Sequence, residues 1–221
     1  MSTNYPKLEK YCNNWLNKAT YHERQDRLHA NSINGQQVGP PRANSYTQNS
    51  ILDAVDRFTT QYIVFNRLYT EAGKVMIAQQ RVSPPRKPYA PLPDRESATT
   101  HIVNYLGGGP ALKQEIINTP KWQRAVDKIV AATHNGHFYF HEDYATGEPD
   151  TDRDEKLIAE ASRYQPKAIL ELIYQARCNL FHGEKELSGE QRKLLNGMSD
   201  FLFCLSKEIL RKLRQDLTSS I

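Results

Sequence analysis

The sequence predicts an all-α fold, a helical bundle. Apolar residues recur at steps of three and four over several long segments, the period of a helix with one buried face. Proline- and glycine-rich stretches punctuate those segments. No alternation of strands with helices and no internal repeat accompanies them. About five or six helices are expected, with at most one short extended piece. Residues 1–47 read as an N-terminal helical appendage plus linker, and residues 48–221 as the bundle domain.

A chain of 221 residues is long enough for one full core. Its net charge of +4 and pI of about 8.9 permit nucleic acid as a partner without requiring it. Mean hydropathy is −0.70, and much of that polarity sits in connecting segments. Cys12, Cys178 and Cys204 are widely spaced and form no CxxC pair. They predict no disulfide framework and a reducing, cytoplasmic setting. The N-terminal MSTNYPKLEK lacks an apolar signal core, and no run approaches a membrane span, so no membrane partner is expected.

In chain order, Leu8, Tyr11, Cys12, Trp15, Leu16 and Ala19 make one apolar helical face, which fades into the polar YHERQDRLHA. The Asn-, Gly-, Pro- and Gln-rich residues 31–48 read as a linker. Ser50, with Asp53 three residues on, can cap the next helix. Its seam is Ile51, Val55, Phe58, Tyr62, Phe65, Tyr69, Ala72 and Met76, read as core packing rather than a base-stacking platform. Prolines exclude regular structure from residues 81–93, where Arg81, Arg86 and Lys87 make a positive face. A short helix begins at Asp94 or Ser97 and ends at Gly107-Gly108-Gly109, and another runs from Ala111 to Asn118. The glycines lack a Walker lysine-serine and a preceding strand, so they read as a turn rather than a phosphate loop. Thr119-Pro120 starts a helix that buries Trp122, Ala125, Val126, Ile129 and Val130.

His134, His137 and His141 invite a zinc reading, with Glu142 and Asp143 as hard ligands and no cysteine nearby. The preferred reading is an aromatic segment plugging the bundle with its histidines at the wet edge, and no metal or cofactor is expected. The acidic residues 142–156 do not fit a calcium loop and read as a surface connection to a helix over about 152–164. After Gly183, Ser188 and Gln191 form a capping box for the last helix. Its stripe runs from Leu194 through Met198, Phe201, Leu205 and Ile209 to Leu213. Lys207, Arg211, Lys212 and Arg214 load its end with positive charge, which suits the helix dipole and also a phosphate backbone.

Between these lies the stretch that carries chemistry. Pro166 opens a helix whose buried stripe is Ile169, Leu172, Ile173, Ala176 and Leu180, and Gly183 stops it. Its last turns hold Arg177, Cys178, Asn179 and His182. An arginine fork suits phosphate oxygens, and an imidazole can take and return a proton near neutral pH. On a straight helix the two lie about 140° apart, so they converge only if the helix unwinds near Phe181 or a second copy packs alongside.

Arg177-Cys178-Asn179-Leu180-Phe181-His182-Gly183 resembles the signature of the HEPN family, an arginine followed four to six residues later by histidine. The resemblance extends over roughly residues 50–215 and includes Phe58, Tyr62, Phe65, Asn66, Leu68 and Tyr69. It implies a HEPN-like bundle that dimerises across facing motifs and cleaves RNA without a metal. His182 and Arg177 would then be catalytic, with Asn179 orienting either group, and Lys185, Arg211 and Lys212 would bind substrate. Toxin or phage-defence context, higher homo-oligomers and a regulatory protein or antitoxin belong to the same resemblance. Relatives usually carry a polar residue where Cys178 stands, and the tyrosine some carry just after the histidine is absent. A non-catalytic helical module binding RNA, a nucleotide or a partner protein is the second expectation.

Overall fold

The computed structural model describes residues 4–35, 45–85, 92–134, 139–143, 145–182 and 189–218. Among these the chain is all-α, as predicted. Its helices are α1 (Tyr5–Gly35), α2 (Ser45–Ala78), α4 (Gly109–Asn118), α5 (Pro120–His134), α6 (Thr151–Ser162), α7 (Pro166–His182) and α8 (Gly189–Thr218). Between α2 and α4 lies α3, which joins the turns Asp94–Glu96, Ser97–His101 and Ile102–Tyr105, the middle one π-helical. The described helices number eight against the five or six expected, although the segment-by-segment reading places a separate helix at each of α3, α4 and α6.

Two boundaries differ from expectation. α1 continues to Gly35 through the polar stretch, and α2 begins at Ser45, ahead of Ser50. In α1, Glu23, Arg24, Gln25 and Arg27 are good helix formers, so loss of an apolar face does not end the helix. Of the two placements open to the first helix, the chain adopts packing on its own core. Tyr5, Leu8, Cys12, Leu16 and Ala19 are buried, and the Tyr5 hydroxyl donates to the Leu210 carbonyl of α8 at 3.2 Å.

The frame is α1, α2, α5 and α8, with α2 against α1 and α8, and α5 against α8. That enclosure explains why α2 buries polar groups beside its aromatic seam. Arg57 donates to Asn196 at 3.1 Å and Asp200 at 2.7 Å, while Glu71 receives Arg67 and Lys74. α5 and α8 approach closely at Gly197, where a Cβ would meet the Ile129 nitrogen at 3.1 Å. The motif helix α7 is not a member of that frame: it packs on α6 and on the π turn of α3. Gly107 and Gly108, at φ +102° and +94°, turn the chain from α3 into α4, a conformation open to glycine. Residues 139–143 are the extended piece, joined to the turn before α6 by one isolated bridge, Glu142 with Pro149. No helix among the described residues is long and apolar enough to cross a membrane.

Candidate functional site

α7 carries its stripe where the spacing put it: Ile169, Leu172, Ile173 and Ala176 are buried. Because α7 stays helical through His182, the backbone does not unwind near Phe181. Arg177 and His182 therefore occupy helix positions about 140° apart around the axis, and within one chain they diverge.

Arg177 is half-buried, with its guanidinium carbon 5.6 Å from the centre of the Tyr62 ring and Nη1 3.8 Å from the Cys178 sulfur. Burial opposes its charge. The contact with Cys178 and the pull of Tyr62, Cys178 and Asp94 outweigh that, so its pKa lies above the ordinary value. Asp94, at the start of α3, collects two tyrosines. Tyr69 of α2 donates a short hydrogen bond to Oδ1, and Tyr174, one turn before Arg177, donates to Oδ2 at 3.2 Å. Burial first, and then Asp94, pushes the Tyr174 hydroxyl up to about 12. Burial likewise raises Tyr62 and Tyr69, which stay protonated across the physiological range. The arginine is thus held as a cation above neutral phenols.

Asn179 belongs to a different cluster. Two residues after Arg177, it points about 160° away from it. Its Nδ2 donates to the Phe140 carbonyl at 3.1 Å, and its Oδ1 accepts from Gln175 at 3.0 Å. The structure does not bring it to Arg177. Its amide instead ties the 139–143 segment to the motif helix. The same segment is held from the other side by Asp154 in the first turn of α6. One carboxylate oxygen accepts from the amide nitrogens of Phe140 (2.5 Å) and His141 (3.3 Å), and the other lies 2.6 Å from His141 Nδ1.

Phe140 is the aromatic plug expected, but His141 is buried with Asp154 rather than at the wet edge. The reason is that Asp154, thirteen residues on, satisfies both its ring and its backbone. His134 is exposed and bonds the Val130 carbonyl, while His137 lies outside the described residues. No group of three or more His, Cys, Asp or Glu among the described residues is placed to hold a metal ion.

The expected substrate cations are dispersed. Lys185 lies outside the described residues. Arg211 grips Glu208 with two bonds of 2.9 and 2.5 Å, and Lys212 pairs with Asp216 at 2.7 Å. Both sit about 28 Å along α8 from Arg192, at the end the chain reaches last after His182. At the other end a cavity of about 360 Å³ opens between α5 and α8. It is lined by Lys128, Arg192, Lys193 and Asn196 over a floor of Ala131 and Ala132. This lining holds three cations and no carboxylate. Asn196 is fixed with its oxygen toward the buried Arg57, which can only donate. Asp200 accepts from both Arg57 and Lys128, which keeps its carboxyl below the usual range despite its burial. Sequence reading missed Lys128, Asp154, Asp94 and Tyr174. Nothing local marks them, since each matters through a partner far along the chain.

No family model, curated protein or solved structure matches this chain.

Proposed function

We propose that the chain is a metal-independent endoribonuclease working as a homodimer, in which Arg177 of one copy meets the His182 end of the other's motif helix. One observation carries this reading. The Arg-x4-His run that resembles the HEPN signature lies on a helix unbroken through His182, with its two key positions about 140° apart. One copy thus offers a cation on one face and a proton carrier on another, and a twofold-related copy supplies what each lacks. The imidazole would serve attack of a ribose 2′-hydroxyl on the adjacent phosphate. The arginine, held charged over Tyr62, would stabilise charge growing on the phosphate oxygens. Products are a 2′,3′-cyclic phosphate and a 5′-hydroxyl. The cavity lined by Lys128, Arg192 and Lys193 supports this reading as a seat for flanking phosphates.

The test is labelled RNA incubated with pure protein in excess EDTA. Cleavage to cyclic-phosphate ends is expected, with loss in Arg177→Ala and in His182→Ala. Mixing the two inactive variants should restore part of the activity, because a mixed dimer keeps one complete site. Either variant cutting at the wild-type rate would sink the reading. One contact favours the non-catalytic module: the Cys178 thiol sits against the guanidinium at 3.8 Å, where relatives usually carry a polar group. RNA retained without cleavage would select it.

A further inference from the structure

α5 and α8 run antiparallel along one seam. Lys121 meets α8 at Phe203, Lys128 meets it at Asp200, Ile129 at Gly197, and Ala132 lines the cavity with Arg192 and Lys193. That cavity, with its three cations, is one end of the seam. The other end gathers cations as well. Lys121, in the first turn of α5, and Lys207 of α8 both approach the Phe203 ring, their Nζ atoms 4.4 and 4.7 Å from its centre. A ring face attracts each ammonium, but the two repel each other. Both lysines are exposed, and neither forms an ion pair among the described residues. The Cys204 thiol, raised chiefly by burial, also feels Lys121, Asp200 and Lys207, so these groups lie close together.

Between the two ends stands Asp200. It accepts from Arg57 as well as Lys128, so two cations share one carboxylate and the middle of the seam stays positive. Lys207 lies about 22 Å along α8 from Arg192. The seam stops there because α5 begins at Pro120, which leaves Arg211 and Lys212 beyond it.

We propose that the α5–α8 seam is a track for single-stranded RNA, with Lys121 and Lys207 holding phosphates at one end and Lys128, Arg192 and Lys193 at the other, a role that rests on the ribonuclease reading above and names the form of RNA it takes. The cations follow a straight line between two helices. A single strand can lie along such a line, whereas a duplex winds its phosphates around an axis. With two ammonium groups over it, the Phe203 ring anchors cations rather than stacking on bases. The contacts are therefore to phosphate, and base identity is not read.

The probe is a labelled 2′-O-methyl oligouridine of about twelve nucleotides, which lacks the attacking hydroxyl and cannot be cut. Its binding is followed by fluorescence anisotropy as salt is raised. The double variant Lys121→Gln, Lys207→Gln should bind more weakly, with the slope of log affinity on log salt reduced by about 1.4, two contacts at about 0.7 each. Lys121→Arg with Lys207→Arg should bind as wild type does. Oligoadenosine of the same chemistry should bind within about threefold of oligouridine, and a duplex of equal length more weakly. Thermal unfolding confirms that both variants keep the fold. A Gln variant with the wild-type slope overturns the proposal, as does an Arg variant that binds as poorly as the Gln one. A duplex that binds as tightly as the single strand overturns it too, and so does displacement of the probe by polyglutamate as readily as by RNA. Wild-type protein that cuts RNA but shows no effect of Lys121 and Lys207 fails the track alone. Wild-type protein that binds the probe through these lysines yet leaves RNA intact fails the ribonuclease reading alone.

Discussion

The motif helix carries a polar cluster on each of two opposed faces, and the two are built in different ways. On one face, Tyr69 and Tyr174 converge on Asp94 beside Arg177, joining α2, α3 and α7 through side chains alone. On the other, Asp154 and Asn179 hold Phe140 and His141 largely through the main chain. The first arrangement keeps a cation charged against partial burial. The second fixes a segment that has no helix or sheet to satisfy its amides, which would otherwise be orphaned. Arg177 and Asn179, neighbours in a motif, therefore do different work. A shared motif is no guarantee of a shared site when its members stand two residues apart on a helix.

The sharpest way to break this comparison is to cut each cluster at its centre. Arg177→Ala should lower RNA cleavage by about 1000-fold or more with little change in unfolding midpoint, if transition-state charge is what it serves. Asp154→Ala should do the reverse first, lowering stability by about 3 kcal/mol because buried amides and an imidazole lose their acceptor together. Urea unfolding of both proteins checks the contrast. An Arg177→Ala chain as destabilised as Asp154→Ala would merge the two clusters into one structural role.

A smaller effect is expected from Asn179→Ala, about 1–2 kcal/mol of stability, since one buried carbonyl loses its donor. Hydrogen exchange at 139–143 should quicken in that variant and stay unchanged in Tyr69→Phe.

For the cations, replacing Lys128, Arg192 and Lys193 together by Gln should weaken RNA binding. It should also flatten its salt dependence, each phosphate contact being worth a slope of about 0.7 for single strands. The pair Arg211→Gln and Lys212→Gln should change the slope little, because both lie outside the cavity those three line, about 28 Å along α8 from Arg192. Equal effects from the two sets would erase the distinction between the ends of α8.

The smallest effect concerns alkaline pH. Tyr5 and Tyr174 are pushed up to about 12, chiefly by burial, from an ordinary value near 10. Between those values the folded chain keeps protons that the unfolded chain releases. Stability is therefore complete below pH 10 and falls as pH rises toward 12. Tyr174→Phe should blunt that fall, measured as the unfolding midpoint from pH 9 to 12.

Much of the fold was legible because helices announce themselves locally. The stripes of α2, α7 and α8 recur every three or four residues, and their predicted apolar positions with described side chains are buried or partly buried. Pro166 and Pro120 start α7 and α5 as their fixed backbone angle dictates. The divergence of Arg177 from His182 follows from the helical period, once the helix is known to continue to His182.

What the period could not supply was partnership. It does not say that Arg57 of α2 meets Asp200 of α8, that Tyr174 and Tyr69 share Asp94, or that Asn179 reaches back to Phe140. It also left open whether the first helix joins the core. These contacts link segments far apart in the chain, and no local spacing encodes them. The sequence by itself determined which faces are apolar and where chemistry-bearing residues sit along each helix. Only the tertiary structure decided which of those residues stand together, because that depends on how whole helices pack, a property of their combined surfaces rather than of any one stretch.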